Sequence, residues 1–187
     1  MTHRTRTAHP RRFGSPVHLG GRFLGALWPG GPAGDDERWA LGQLLPGECE
    51  LWHRMSGPDR RHAVRVARTS AQLLERAGEA PRREVVAAAL LHDVGKVASR
   101  LGTLARVVVT FASMALGEER VGGTRPRTGR RAGVRRYLEH DRIGGELLRG
   151  AGSDPFTVAW AEQHHLPPER WTIDRRLGEL LKAADGG

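Results

Sequence analysis

The sequence predicts an all-α protein, a bundle of helices around one core. Three observations carry that expectation. Apolar residues recur at helical spacing in segment after segment, whereas no alternating strand pattern is strong and "RVVVTF" is the one ambiguous run. Ala, Leu, Arg and Glu, all strong helix formers, dominate, and aromatic residues make up only 5%, so the core must be mostly Leu, Val and Ala. Pro, Gly and capping residues punctuate the segments where helices should start and stop. The 187 residues suit one domain of ordinary size with some extra sequence, and 39% hydrophobic residues suffice to bury a core.

The elements follow in order. Residues 1–34 hold Arg4, Arg6, Arg11, Arg12 and Arg22, several Gly and Pro, and no acid before Asp35. They read as a basic, disordered tail ahead of a helical domain over 35–187. "DDERWALGQLL" has its acids at the start, where the helix dipole favours them. Pro46-Gly47 breaks it, and "ECELWHRM" is a short second helix. Ser56, Pro58 and Asp59 form a turn and cap for "RRHAVRVARTSAQLLERAG", which puts His62, Val66 and Ala67 on one face. Gly78 ends it. "PRREVVAAALLHDVGK" is opened by Pro81, and its spacing places Val85, Ala89 and His92 on the buried stripe.

Residues 99–116 predict an apolar helix. Its "LARVVVTFASMAL" is too short to span a bilayer unaided and carries Arg106, so no transmembrane span is expected. It reads as a buried helix, with a membrane-surface helix as the alternative. Residues 117–133 read as an inserted Arg/Gly-rich loop. "VRRYLEHDRIGGELLRG" resumes helix, "DPFTVAWAEQHH" is capped by Asp154 with Pro155 at its first position, "LPPERW" breaks the chain, and "DRRLGELLKAAD" is the last helix.

The net charge is +9, yet of the 30 basic residues only Lys96 and Lys182 are lysine. That skew, with 25 Gly, matches the codon bias of a GC-rich genome better than a nucleic-acid interface. The basic segments also lack interleaved aromatics and any recognition helix, so nucleic acid is not an expected partner. The single cysteine, Cys49, allows no intramolecular disulfide and fits a reducing cytoplasm. The apolar "FLGALW" is too short for a secretory signal core, which agrees with a cytoplasmic location.

The chemistry lies in the histidines. "LLHDVGK" ends an apolar run in two adjacent groups, His92 and Asp93, that are costly to bury unless paired or bound to metal. His62, His92, His140 and the pair His164-His165 fall on different helices, and Asp185 ends the last one. Imidazole and carboxylate are the natural ligands of first-row divalent metals, and helical bundles build metal sites by aiming them inward. Singly, each has a plainer role: a hydrogen-bonded core histidine, a polar helix end, an acid at a terminus. As an ordered set over successive helices they point to a metal site between helices.

The set resembles the HD-domain superfamily of metal-dependent phosphohydrolases. "RRHAVRVA" looks like its first-histidine helix, and "AALLHDVGK" is very close to its defining motif. "YLEHDRIGGELLRGAG", "AWAEQHHLPPERW" and "LLKAAD" are similar to the segments bearing the later histidine, the histidine pair and the last aspartate. The resemblance spans roughly residues 47–185. It implies an HD-like bundle with one or two divalent transition ions (Mn, Fe, Co, Ni or Zn). His62, His92, Asp93 and Asp185 would hold the first. Asp93 would bridge to a second, held by His140, His164 and His165. Asp93 and Lys96 would be the catalytic pair, with Lys96 also binding a substrate phosphate oxygen. "LPPERW" replaces the Gly-Tyr-Pro of the cyclic-dinucleotide branch, so that substrate is not assigned. Pro58 stands where a third metal would need a glutamate.

The resemblance therefore implies hydrolysis of a nucleotide or other small phosphate ester by metal-activated water. The alternative is a non-catalytic HD-like signalling or scaffold module with a structural metal or none.

Overall fold

The computed structural model describes residues 30–99, 101, 105, 109, 121 and 129–186. Among the described residues are eight α-helices and two short 3-10 helices. The expected tail before Gly30, and most of the expected apolar helix and inserted loop, lie outside them.

Helix α1 (Gly34–Leu41) carries Asp35, Asp36 and Glu37 in its first turn, where carboxylates meet the positive end of the dipole. Glu37 also fastens α1 to its neighbours, accepting a hydrogen bond from Trp52 Nε1 at 2.9 Å and pairing with Arg60. Helix α2 (Pro46–Arg54) starts at Pro46, so the break falls over Gly42–Leu45 and the proline opens the helix instead of interrupting it. Glu48, fully buried, accepts the Leu45 N–H at 2.8 Å.

Helix α3 (Gly57–Arg76) is capped by Ser56, whose side chain accepts from Asp59 N. Its inner face is Ala63, Val64, Val66, Ala67, Ser70 and Leu74. It stops at Gly78, whose φ of 78° suits glycine. Helix α4 (Arg83–Leu91) is the centre of the molecule. Every residue from Val85 to Leu91 is buried, as expected of a helix covered on all sides. Helices α3, α7 and α8 pack around it. Burial of a Leu or Val of this kind contributes about 1.5–3 kcal/mol. α4 does not run on to Lys96 as the sequence suggested. It caps at His92, and a 3-10 helix, Val94–Ser99, follows.

Helix α5 (Gly129–Leu138) and helix α6 (His140–Gly150) replace the single helix expected over 134–150. Helix already begins at Gly129, so the expected loop over 117–133 gives up its last residues. Gly133 is buried there: a Cβ on it would lie 2.7 Å from the Ser99 carbonyl oxygen. It read as a loop residue but serves close packing. Helix α7 (Pro155–Gln163) is capped by Asp154, which accepts from Phe156 N at 2.8 Å. A 3-10 turn, Pro168–Arg170, leads to helix α8 (Arg175–Ala184), capped by Asp174. Leu177 and Leu181 of α8 enter the core. Lys182 Nζ donates to the His164 carbonyl at 2.9 Å, tying α8 to the end of α7. Among the described residues no helix is long and apolar enough to cross a membrane.

Candidate metal centre

The helix ends converge. His62 lies in the second turn of α3, His92 and Asp93 follow α4, and His140 opens α6. His164 and His165 follow α7, and Asp185 caps the end of α8. Gly95 permits the convergence. A Cβ there would stand 1.9 Å from the His140 carbonyl oxygen and 2.6 Å from Gly144 N. Only glycine lets the start of α6 rest on the 3-10 turn beside Asp93.

Donor atoms of Asp93, His140, His164 and His165 lie within 4.8 Å of one another, as do those of His62, His92 and Asp93. The two groups share Asp93. Its Oδ2 is 3.4 Å from His92 Nε2, while its Oδ1 is 3.5 Å from His140 Nε2 and 3.9 Å from His164 Nε2. One oxygen thus faces each group. Asp185 Oδ1 lies 3.0 Å from His62 Nε2, which places the last aspartate against the first histidine. All seven expected ligand residues are brought together. Lys96 stands beside them, its ammonium paired with Asp93.

Three rings are oriented in the same way. Nδ1 of His92 meets the Ala89 carbonyl at 2.9 Å, that of His140 the Tyr137 carbonyl at 2.7 Å, and that of His164 the Ala161 carbonyl at 3.1 Å. In each case the carbonyl belongs to the residue three before. It can only accept, so Nδ1 carries a proton and Nε2 is the atom left to face the cluster. Those three Nε2 atoms are buried and make no hydrogen bond among the described residues. Orphaned buried acceptors are rare in native proteins. Here they face a shared carboxylate, which is the donor set a divalent cation needs. The residues fit the metal that the sequence implied.

His62 differs. Its Nδ1 meets the guanidinium of Arg65 at 2.9 Å. Arg cannot accept, so this ring holds its proton on Nε2, toward Asp185.

The charges support the same arrangement. Burial raises the Asp93 carboxyl, but Lys96, His92 and His140 outweigh it and hold it well below the usual carboxylate range. It is ionised at neutral pH. Burial pushes His164 down to about 4, so its ring is neutral. Desolvation and the adjoining His164 push His165 well below its ordinary value, although its side chain is 39% exposed. Burial disfavours a charged His140, but Asp141 and Asp93 beside it raise it to about 10.

Asp141 is the residue that sequence reasoning missed. Its Oδ1 lies 3.0 Å from His140 Nε2 and 3.9 Å from Nε2 of both His164 and His165. The signal was present, because His140-Asp141 repeats the His-Asp pair of positions 92 and 93. The surface clefts bordered by Glu79 and Arg176 and by Trp39 and Arg68 include none of these residues.

Comparison with curated proteins and with solved structures gives no match. A family model described as HD domain matches residues 60–186, a span that contains the whole cluster from His62 to Asp185. With most of its length matched and its histidines and aspartates gathered at one centre, the chain belongs to the HD domain family, whose members are generally metal-dependent hydrolases.

Proposed function

We propose that the chain is a metal-dependent phosphohydrolase acting on a nucleotide or other small phosphate ester. The observation that carries this is the pair of donor groups joined by one buried carboxylate, Asp93. His62, His92, Asp93 and Asp185 would hold one divalent ion, and Asp93, His140, His164 and His165 the other. Bound ions in such a site supply hydroxide near neutral pH and counter-charge for a phosphoryl group under in-line attack.

The chain's own residues have distinct tasks. Asp93 stays ionised under burial because Lys96 and the histidines compensate it, and its two oxygens serve the two groups. The carbonyls of Ala89, Tyr137 and Ala161 fix the rings, so no reorientation is needed when a cation arrives. Lys96 binds a phosphoryl oxygen as a point charge. Its side chain is 17% exposed, enough to reach solvent from beside Asp93.

The test is elemental analysis of the untagged protein, together with hydrolysis of a panel of phosphate esters. Stoichiometric transition metal and measurable hydrolysis are expected, both lost in Asp93→Ala. A metal-free protein that takes up no Mn, Fe, Co, Ni or Zn would refute the reading and leave a non-catalytic helical module. So would an Asp93→Ala variant hydrolysing at the wild-type rate.

A further inference from the structure

We propose that Asp141 is an additional ligand of the ion held by His140, His164 and His165, giving that ion a second carboxylate besides Asp93. The inference rests on the metal-dependent reading above and extends it to a residue outside the expected set.

Three observations carry it. The first is distance. Two atoms bound to one ion at about 2.0–2.2 Å stand no more than about 4.4 Å apart. Asp141 Oδ1 meets that limit with three partners at once, at 3.0 Å from His140 Nε2 and 3.9 Å from Nε2 of both His164 and His165. The shortest separation equals the edge expected for neighbouring ligands at right angles around an ion with bonds of about 2.1 Å.

The second is the state of the atom. Asp141 Oδ1 is buried and makes no hydrogen bond among the described residues. A buried carboxylate oxygen without a partner is costly. The Nδ1 protons of His140 and His164 are committed to backbone carbonyls. Nε2 of each ring is therefore the atom turned to the carboxylate oxygen, where a divalent cation can take the place of a proton between them.

The third is position. His140 and Asp141 are the first two residues of α6. The packing of α6 on Gly95 places the backbone that carries both residues.

The chemical consequence is a more anionic site. Two carboxylates with three imidazoles match a divalent ion's charge and supply five protein donors. A tetrahedral zinc site takes four ligands in all. Five donors favour an ion of higher coordination number, of the Mn, Fe or Co kind.

The experiment is a titration of the full chain with Co(II), followed by calorimetry and by visible absorption, whose intensity reports coordination number. Wild type is compared with Asp141→Asn and Asp141→Glu, and circular dichroism confirms that each is folded. In Asp141→Asn one class of site should weaken about ten-fold or more, as loss of a ligand should cost no less than loss of a residue that merely supports one. The cobalt band should intensify as coordination falls. Asp141→Glu, which keeps the charge on a longer arm, should recover part of the affinity. An Asn variant matching wild type in affinity and spectrum overturns this inference while the wider reading stands. If the Asn variant does not fold, Asp141→Glu decides, because an unaltered spectrum and affinity there also refute ligation. Wild type that binds no cobalt overturns both readings together.

Discussion

Arg65 distinguishes His62 from the other buried rings. Its guanidinium holds His62 in the tautomer with the proton on Nε2, the nitrogen that faces Asp185. A metal ligand must offer a lone pair at that atom. Ion binding therefore has to break the Arg65 contact and move a proton. Arg65 is exposed, and exposed pairs of this kind contribute about 0–1 kcal/mol. Arg65→Ala is accordingly expected to raise metal affinity by up to about five-fold. Competitive titration against a chromophoric chelator checks this, and a weaker-binding variant would show that Arg65 supports the site instead of opposing it. The same scale explains why Asp141 went unread. The motif "LLHDVGK" drew the reading to one His-Asp pair, and adjacency in sequence does not say which way the second aspartate turns. Only the fold places its Oδ1 against three imidazoles.

At the level of elements, the outline of the bundle was legible because caps and apolar spacing act locally. Ser56 and Asp154 were each placed at a helix start that the structure contains. What was not legible depends on distant neighbours. The break at Glu139 divides a run of good helix formers, and no proline or glycine marks it. It serves to bring His140 in over Gly95, a contact between residues far apart in sequence. Gly133 likewise looked like loop and is packing. Gly95→Ala tests this scale. Its Cβ would collide with the His140 carbonyl, and backbone cannot swing aside as a side chain can. Overpacking typically costs about 1–3 kcal/mol. The expected outcome is a lower urea midpoint together with weaker metal binding, since α6 must lift and carry His140 with it. Lost stability with unchanged metal affinity would separate the packing from the site.

For the molecule as a whole, two linkages follow. The proposed ligand groups come from α3, the end of α4, α6, the end of α7 and α8, so an ion held at the centre would bind the folded chain and not the unfolded one. Saturating metal at about 100 times its dissociation constant should add about 2.7 kcal/mol, and a chelator should remove it. Thermal unfolding with and without chelator checks this. Identical melting temperatures would mean that the ion binds loosely or not at all. The second linkage is to protons. Glu79, between α3 and α4, pairs with Arg176 of α8, and this hydrogen bond holds its carboxyl below the ordinary value of 4.5. A depressed folded pKa gives stability that is present above the unfolded value and lost as pH falls through the folded one. Glu79→Gln should therefore lower stability slightly near neutral pH, and the difference should shrink as pH falls below the ordinary carboxylate value. Denaturation midpoints of the two proteins across that range should converge toward acid. A constant gap would assign the effect to packing instead of charge.

The dispersal of the site along the chain also fixes an order of events. Its first contributor is residue 62 and its last is residue 185, and Asp185 meets His62 only when α8 lies against α3. Lys182 meanwhile ties α8 to the carbonyl of His164. No contiguous fragment that lacks α8 holds the whole donor set. Completion of the donor group around His62 is therefore a late event, since it waits for α8 to close on α3. A chain halted short of that point would hold the donors around His140 but lack the last carboxylate of the His62 group.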